Sequence, residues 1–313
     1  MKIVTLTLNP AIDKSATIQN LAPDKKLRTS NIKFEPGGGG INVSRAIKKL
    51  DGSSLTLFAS GGHTGEFLNQ LVQEEALNYQ QIQVQDITRE NLMIYDESAD
   101  NQYRFGMLGA SFTDEEAQNC LDLIKSLDPA PEYLVASGSL PPGLPDDFYA
   151  EIGKAAREIG CKYVLDTSGA ALKEGVKNGT HLLKPNLGEL SRLTGKDSLE
   201  GEMVEKAARQ LLDKDQCEVV AVSLGPGGAL LVTPEKVEQI PSPTVHKQST
   251  VGAGDSMVAG MVLSLARGED FRCMIRYGVA CGTAATITPG SELCRKEDVD
   301  KLYKWILNTC PVD

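Results

Sequence analysis

Residues 132–166 read EYLVASGSLPPGLPDDFYAEIGKAAREIGCKYVLD and contain one unit of the pattern that decides the fold. The short apolar runs at 132–137 and 162–166 predict two buried strands, and the stretch 146–159 between them predicts a helix. A strand, a helix and a second strand joined by short connections place the two strands parallel beneath the helix. This segment therefore predicts part of a parallel sheet that is covered by helices.

The same alternation of strand and helix recurs on both sides of this segment. Further strands are predicted at 3–8, 55–60, 181–184 and 218–223, and further helices at 40–50, 65–77 and 187–194. These elements predict an α/β protein with a central, mostly parallel sheet and helices on both of its faces. The 313 residues are enough for one large domain of this kind, which we assign to 1–313.

Two stretches, at about 14–35 and 91–107, break the alternation. They carry short strands with alternating polarity, such as SNIKFE at 30–35 and NLMIYDE at 91–97, with no strong helix between them. We expect these stretches to pair into a small separate sheet beside the main domain.

Composition argues against several classes of function. A net charge of -10 disfavours nucleic acid as a partner, because phosphate backbones select for basic surfaces. We expect no signal peptide and no membrane partner, since no window approaches the about 20 apolar residues of a membrane span. The seven cysteines include no CxxC pair and the three histidines are scattered, which favours reduced thiols in a cytoplasmic protein over disulfides or a zinc site.

The segment 249–267, STVGAGDSMVAGMVLSLAR, carries the chemistry. Gly252, Ala253 and Gly254 precede an apolar helix that begins near Asp255. The first N–H groups of a helix lack internal partners, and small residues let an anion approach them. Such an anion hole suits the charge that develops on a transferring phosphoryl group, and Asp255 would accept a proton from the attacking hydroxyl.

Other interpretations of these glycine-rich segments remain at this point. Asp255 could simply cap its helix, as aspartate often does. The chain contains no GxxxxGK[ST] loop, which argues against a P-loop kinase. The glycine run at 37–40 does not fit the GxGxxG pattern of a dinucleotide-binding fold, and by itself it would indicate a flexible turn.

Several segments together resemble the PfkB, or ribokinase-like, family of carbohydrate kinases. STVGAGDSMVAG resembles the C-terminal signature of the family and PGGGGINVSRA at 36–46 resembles its N-terminal signature. Three further segments match family motifs in the same order: SGSLPPG at 137–143, KPNLGEL at 184–190 and VSLGPGGAL at 222–230. The bacterial minor-isozyme type of 6-phosphofructokinase is the subfamily that the chain resembles most, through NPAID at 9–13, KKLR at 25–28 and QYRF at 102–105.

The resemblance implies a ribokinase-like fold with a β-sheet lid, and ATP and Mg²⁺ as cofactors. Asp255 would be the catalytic base, with Gly252, Ala253 and Gly254 as the anion hole. Lys184 and Asn186 would contact the nucleotide phosphates, whereas Ser223, Gly225 and Gly228 would line its adenine and ribose side. Glu189 would help to hold Mg²⁺ through water, which suits an ion that dehydrates reluctantly; the alternative is an exposed helix carboxylate.

The resemblance also implies a sugar-phosphate site in the N-terminal half. The residues expected to contact the sugar are Asp13, Gly38, Gly39, Asn42 and Ser139, and those expected to bind its phosphate are Lys26, Arg28 and Arg89. Each of these three cations could alternatively be a solvated surface charge. In this family the lid is often a homodimer interface, so Lys26 or Arg28 could reach the site of a neighbouring subunit.

A monovalent cation site is a further implication of the resemblance. Some family members bind K⁺ beside the anion hole, and the corresponding backbone carbonyls here belong to Ser249, Val251, Ala285 and Gly290. The second segment reads TITPGSEL at 286–293, in which Pro289 and Glu292 depart from the usual family pattern.

The glycine run also bears on the choice of substrate. Kinases that act on fructose 1-phosphate or tagatose 6-phosphate resemble GKGxNV at this motif, with lysine where this chain has Gly39. We therefore expect transfer of the ATP γ-phosphate to the 1-hydroxyl of fructose 6-phosphate, with those two activities as alternatives. A catalytically silent sugar- or nucleotide-binding regulator should have lost Asp255 or its glycines, and a nucleoside kinase would have no use for three converging cations.

Overall fold

The structure is a computed structural model that describes residues 2–290 and 292–310. Within those ranges nine strands form one large sheet, and seven of them run parallel to their neighbours. Numbered along the chain, they are β1 (Ile3–Thr7), β4 (Leu55–Ser60), β5 (Asn78–Gln83), β8 (Tyr133–Ser137), β9 (Lys162–Asp166), β10 (Thr180–Leu183), β11 (Cys217–Ser223), β12 (Ala229–Val232) and β13 (Val237–Ile240). Their order across the sheet is β13-β12-β11-β10-β9-β8-β1-β4-β5.

Helices cover both faces of the large sheet. They are α1 (Gly39–Lys49), α2 (Gly62–Glu74), α3 (Asp114–Lys125), α4 (Phe148–Glu158), α5 (Gly169–Gly175), α6 (Leu187–Leu193), α7 (Glu202–Asp213), α8 (Ala253–Ala266), α9 (Phe271–Thr286) and α10 (Lys296–Thr309). The predicted mostly parallel α/β sheet is confirmed. Its antiparallel edge, β12 and β13, was not predicted, because each strand has only four residues and tight turns at 225–228 and 233–236 precede them.

A second sheet of four strands lies beside the first, and we call it the small sheet. Its strands are β2 (Ala11–Ile18), β3 (Ser30–Gly37), β6 (Arg89–Asp96) and β7 (Asn101–Phe105), in the order β3-β2-β6-β7. The predicted stretches 14–35 and 91–107 fall within it, but three of the strand ends lie a few residues outside them. Residues 19–29, between β2 and β3, form a loop instead of a strand.

The strands of the large sheet alternate their side chains between two cores. In β1, Val4 and Leu6 enter one core, while Ile3 enters the core on the other face. On that second face Thr5 Oγ1 lies 2.8 Å from the hydroxyl of Ser44 in α1, so the buried polar groups are paired. These contacts fix α1 against the centre of the sheet.

Helix α8 lies in the same second core. Its residues from 256 to 266 are all buried, and most of them are apolar around the whole circumference, which is typical of a helix enclosed on every side. It packs against α1 and α9, so its first turn is held at the edge of the sheet where the parallel strands end. Among the described residues, none of the helices combines the length and hydropathy needed to cross a membrane.

Candidate active site

The carboxyl ends of the central parallel strands meet at one edge of the large sheet, and polar residues follow several of them. Asn9 follows β1, Asp166 ends β9, Lys184 follows β10 and Ser223 ends β11. Helices α1 and α8 also begin at this edge. In open α/β sheets ligands bind in the crevice outside these strand ends, so this edge is the candidate site.

Asp255 lies in the first turn of α8 and is half-buried. The side-chain amide of Asn42 donates a hydrogen bond of 2.9 Å to its Oδ2 atom. Burial raises the pKa of Asp255 to about 6, and the negative charge of Asp166 adds to this, while Asn42, Lys184 and Arg45 act in the opposite direction. At neutral pH the carboxylate is therefore ionised and still basic enough to accept a proton.

The backbone that leads into Asp255 forms an amide cradle. Gly252 adopts a left-handed conformation with φ of 71°, and a Cβ atom there would lie 2.5 Å from Cδ2 of Leu293. Ala253 N–H makes only a long bond of 3.5 Å to the carbonyl of Thr250. Among the described residues, no acceptor takes the N–H groups of Gly254 and Asp255. Two amides thus remain available to an anion beside the carboxylate.

Lys184 and Asp166 form a buried ion pair next to this cradle. Lys184 Nζ lies 3.2 Å from Asp166 Oδ1, and the two side chains are only 6% and 15% exposed. Burial by itself would lower the pKa of Lys184, but the charges of Asp166, Glu189 and Asp255 outweigh it and raise the pKa. Lys184 therefore stays protonated. A Cβ atom at Gly254 would lie 3.6 Å from Nζ, which places the ammonium group beside the free amides.

Asn186 and Glu189 cap helix α6 reciprocally. The side-chain oxygen of Asn186 accepts the N–H of Glu189 at 2.9 Å, and Oε2 of Glu189 accepts the N–H of Asn186 at 2.8 Å. Glu189 is thus a half-buried capping residue, not a free exposed carboxylate. The N–H of Ser223 donates to the carbonyl of Pro185 at 2.9 Å, so this segment lies against the end of β11.

The turn after β11 has backbone conformations that favour glycine. Gly225 and Gly228 have φ values of 58° and 88°, and a Cβ atom at Gly228 would lie 1.9 Å from the carbonyl oxygen of Ile240. The predicted nucleotide residues Lys184, Asn186, Ser223, Gly225 and Gly228 therefore follow two neighbouring strands, β10 and β11.

The glycine run lies on the other side of Asp255. Gly38 precedes α1 with φ of 121°, and Thr7 Oγ1 accepts the N–H of Ile41 at 2.8 Å. The N–H groups of Gly39 and Gly40 have no acceptor among the described residues. A Cβ atom at Gly39 would lie 2.2 Å from Oγ of Ser137, so this glycine is required by close packing instead of forming a loose turn.

Asp13 in β2 lies beside the same glycine run. A Cβ atom at Gly37 would lie 2.2 Å from its Oδ2 atom, and Asn91 donates a bond of 2.9 Å to its Oδ1 atom. Burial raises the pKa of Asp13, against the effects of Asn91, Arg89 and Arg45. The small sheet thus brings the carboxylate of Asp13 to the N-terminus of α1.

The three predicted phosphate cations differ in the contacts that they make. The guanidinium of Arg89 donates to the main-chain carbonyls of Asn9, Pro10 and Met107, so three of its five N–H groups are engaged within the fold. Lys26 and Arg28 lie exposed in the loop between β2 and β3 and form no hydrogen bond or ion pair with the other described residues. Their role in binding the sugar phosphate therefore stays a prediction.

Ser139 and Asn9 connect the glycine run to the loop after β8. Asn9 Nδ2 donates to Oγ of Ser139 at 3.0 Å. The side-chain oxygen of Asn9 is buried and has no partner among the described residues. Ser139 itself is exposed, which is consistent with its predicted position facing a ligand.

Two site residues were missed in the sequence. Asp166 ends a strand that was predicted correctly, and an acidic residue at the carboxyl end of a parallel strand is a usable signal. Arg45 is 4% exposed and donates to the side chains of Asn42, Glu35 and Glu75. No local pattern marked Arg45, because it lies on the side of α1 away from the apolar cluster of Val43, Ala46 and Ile47 and is buried by residues distant in the sequence.

The sequence profile of the pfkB family carbohydrate kinases matches residues 3–298. The chain belongs to this family.

The relatives of this pfkB kinase match it along almost its whole length. ATP-dependent 6-phosphofructokinase isozyme 2 of Escherichia coli (strain K12) is 40% identical over 307 residues, which cover 98% of this chain and 99% of the relative. The crystal structure of phosphofructokinase-2 from Escherichia coli in complex with potassium has a TM-score of 0.94 at 40% identity, covering 97% of this chain and 99% of that one. The structure of the same enzyme in complex with fructose-6-phosphate has a TM-score of 0.91 at 40% identity, with the same coverage.

The predicted K⁺ residues of this pfkB kinase lie in two adjoining segments. Ser249 Oγ donates to the carbonyl of Gly290 at 2.8 Å and accepts the N–H of Val251 at 3.1 Å. The carbonyl of Ala285 already accepts the N–H and the hydroxyl of Thr288, so its lone pairs are engaged. Ser249, Val251 and Gly290 are thus brought together, and Ala285 fits a cation site least well.

The carboxylates of this pfkB kinase do not form a metal cage by themselves. In residues 2–290 and 292–310, no group of three or more His, Cys, Asp or Glu side chains is arranged to hold a metal ion. A Mg²⁺ ion commonly keeps several waters and takes one or two carboxylates together with substrate phosphates. Glu189 fits such a role, because only its Oε2 atom is used in capping α6.

Proposed function

We propose that this pfkB kinase transfers the γ-phosphoryl group of ATP to the 1-hydroxyl of fructose 6-phosphate. The observation that carries the proposal is the arrangement at the start of α8. A half-buried carboxylate, Asp255, adjoins two free backbone amides and a protonated lysine at the crevice of the sheet. This arrangement offers a proton acceptor and an anion site at one place, as in-line phosphoryl transfer requires. The 6-phosphofructokinase relatives support the choice of substrates.

In this proposal Asp255 accepts the proton of the sugar hydroxyl through Oδ1, because Oδ2 already accepts a bond from Asn42. The amides of Gly254 and Asp255, with the weakly bonded amide of Ala253, bind the oxygens of the transferring group. Lys184 adds a positive charge that Asp166 holds in place. Catalysis then depends mainly on positioning and on neutralising charge.

The nucleotide would extend from Lys184 towards the turn after β11. Lys184 and Asn186 would contact its phosphates, and Ser223, Gly225 and Gly228 would line the ribose and adenine side. Mg²⁺ would neutralise phosphate charge, with Glu189 holding the ion through water. K⁺ would bind the carbonyls of Ser249, Val251 and Gly290, a proposal supported by the potassium complex of the Escherichia coli relative.

Gly39 favours fructose 6-phosphate over the two alternative sugar phosphates. Kinases for fructose 1-phosphate and tagatose 6-phosphate are expected to carry lysine at this position. Here a Cβ atom would lie 2.2 Å from the Ser137 hydroxyl and 2.8 Å from the N–H nitrogen of Gly138. Because this packing excludes any side chain, the sugar phosphate needs other cations. Arg89 has two N–H groups left for it, close enough to Asp13 for their charges to interact.

We further propose a homodimer that forms through the small sheet. This sheet and the segment after it expose several large apolar side chains: Ile32, Phe34, Tyr103, Phe105, Met107 and Leu108. Such a patch is typical of an association surface. A dimer formed there would bring the exposed loop with Lys26 and Arg28 close to a second chain. Sedimentation of Phe105→Asp as a monomer would support this, and an unchanged dimer would refute it.

A cytoplasmic location is also proposed. All seven cysteines are free, and five of them are buried. Chains that fold in oxidising compartments more often pair their cysteines.

A coupled spectrophotometric assay tests the proposed reaction. ATP-dependent turnover is measured with fructose 6-phosphate, fructose 1-phosphate and tagatose 6-phosphate, and kcat/KM is compared. We expect fructose 6-phosphate to give the highest value. A higher kcat/KM for either other sugar would refute the substrate assignment. Sugar and nucleotide binding by calorimetry without any turnover would instead identify the silent regulator.

A further inference from the structure

One buried side chain links the catalytic carboxylate to parts of the chain that lie outside the site. Arg45 follows Asn42 by one helical turn in α1, and its Nη1 group donates to Asn42 Oδ1 at 3.2 Å. Asn42 Nδ2 in turn donates to Asp255 Oδ2 at 2.9 Å. The three side chains therefore form a continuous hydrogen-bonded chain that ends on the proposed base.

We propose that Arg45 is a positioning residue for Asp255, acting through the amide of Asn42. This inference rests on the proposed role of Asp255 as the base. A guanidinium group only donates hydrogen bonds and an ionised carboxylate only accepts them. The amide between them can satisfy both only with its oxygen towards Arg45 and its nitrogen towards Asp255. Arg45 therefore determines which end of Asn42 faces the base.

This orientation has a consequence for the proton transfer. With Nδ2 of Asn42 on Oδ2, the other oxygen of Asp255 is left for the sugar hydroxyl. If the amide turned over, its oxygen would face the carboxylate and repel it. Asp255 would then lose both its rotational restraint and one stabilising bond. Misplacement of a reacting group by a small distance is enough to slow an enzyme markedly.

Two carboxylates from other elements hold Arg45 in place. Glu75, at the end of α2, accepts bonds from Nε at 2.8 and 2.9 Å, and Glu35 in β3 accepts a bond from Nη2 at 3.1 Å. The carbonyl of Pro36 accepts a further bond at 3.4 Å. Since Glu35 and Pro36 belong to the small sheet, the orientation of the base depends on contacts that this sheet makes.

The variant Arg45→Lys tests the proposal. Lysine keeps the charge but cannot bridge Asn42 and both glutamates with one planar group. We expect kcat for fructose 6-phosphate to fall about tenfold while KM for ATP changes little, since one hydrogen bond to a charged group is affected. The matched control is Arg276→Lys, which alters another buried arginine, paired with Glu238, and should leave kcat unchanged.

A double-mutant cycle separates positioning from a general loss of stability. In an Asn42→Ala background the connecting amide is gone, so Arg45→Lys should lower kcat by less than twofold further. A full tenfold loss in that background, or a kcat of Arg45→Lys within twofold of wild type, overturns the proposal. If Arg45→Lys fails to fold, Glu75→Gln is the second variant, because its side chain is 30% exposed. It should lower kcat about threefold, and only when Asn42 is present.

An activity-independent measurement distinguishes failure of this inference from failure of the proposed function. The carboxyl carbon of Asp255 is titrated by ¹³C NMR in the free protein. The bond from Asn42 lowers the pKa of Asp255, so Arg45→Lys should raise that pKa although the positive charge is kept. An unchanged titration refutes the positioning role, whereas absent turnover by the wild type refutes the proposed reaction alone.

Discussion

Replacing Asp255 with asparagine should abolish turnover and stabilise the folded protein at the same time. Burial raises the pKa of Asp255 from 3.8 to about 6, so at pH 7 the fold holds a charge that it disfavours. This difference corresponds to about 3 kcal/mol. We expect about 2 kcal/mol, since the carboxylate is half-buried and solvent weakens the effect of burial. For a chain of this length the gain corresponds to a Tm increase of about 3 °C.

The pH dependence of this gain gives the decisive measurement. Because the folded-state pKa is raised, the contribution of Asp255 to stability is present below pH 3.8 and is lost as the pH rises through about 6. The advantage of Asp255→Asn should therefore be largest at pH 7 and shrink as the pH falls towards 4. Thermal unfolding at pH 7, 6 and 5 measures it, and turnover of the same samples should be at least a hundredfold lower than wild type.

Asp270→Asn is the matched control for this prediction. Asp270 caps the neighbouring helix α9 and accepts the N–H of Cys273 at 2.7 Å, a bond that lowers its pKa. Removing this charge should bring no gain at any pH and a small loss at pH 7. The reasoning about Asp255 is refuted if Asp255→Asn is neutral or destabilising at pH 7, or if its gain does not vary with pH.

Three further predictions concern the same crevice. The kcat of the wild type should fall about tenfold for each pH unit below about 6, because protonated Asp255 cannot accept a proton. A kcat that stays constant down to pH 5 would exclude Asp255 as the base. Lys184→Met should leave Asp166 without its ion-pair partner and lower the free energy of unfolding by about 3 kcal/mol. It should also weaken ATP binding by calorimetry; unchanged unfolding in urea would contradict this. Gly39→Ala should force the loop after β8 away, which lowers the Tm and raises the KM for sugar phosphate at least tenfold. Gly254→Ala, whose Cβ meets nothing closer than 3.6 Å, should unfold at the wild-type temperature, and equal Tm values for the two variants would contradict the packing argument.

The large sheet and the position of Asp255 could be predicted because both depend on short segments. Each parallel strand is a local apolar run, and the register between β8 and β9 then places Ser137 opposite Asp166 without further information. Helix α8 is equally local, since its apolar sequence requires burial on every side. The capping of α6 could also be predicted from the sequence, because asparagine followed three residues later by glutamate is a capping pattern.

The contacts that orient the site were not predictable, because they join residues far apart in the sequence. Arg45 donates a hydrogen bond to Glu75, thirty positions later in the sequence, and Lys184 pairs with Asp166 across two neighbouring strands. No local pattern marks either pair. Arg89 illustrates the opposite case: an arginine expected to be free for phosphate is largely occupied by three main-chain carbonyls.

The small sheet is joined to the rest of the chain at four places, which lie before β2, after β3, before β6 and after β7. Arg89 links the connection before β2 to the connection after β7, because it donates to the carbonyls of Asn9, Pro10 and Met107. Four connections and these three bonds restrain the small sheet more than a single hinge would. Movement of this sheet relative to the large sheet would change the distance between Asp13 in β2 and Gly39 at the start of α1. A sugar that contacts both residues would therefore bind most tightly at one position of the small sheet.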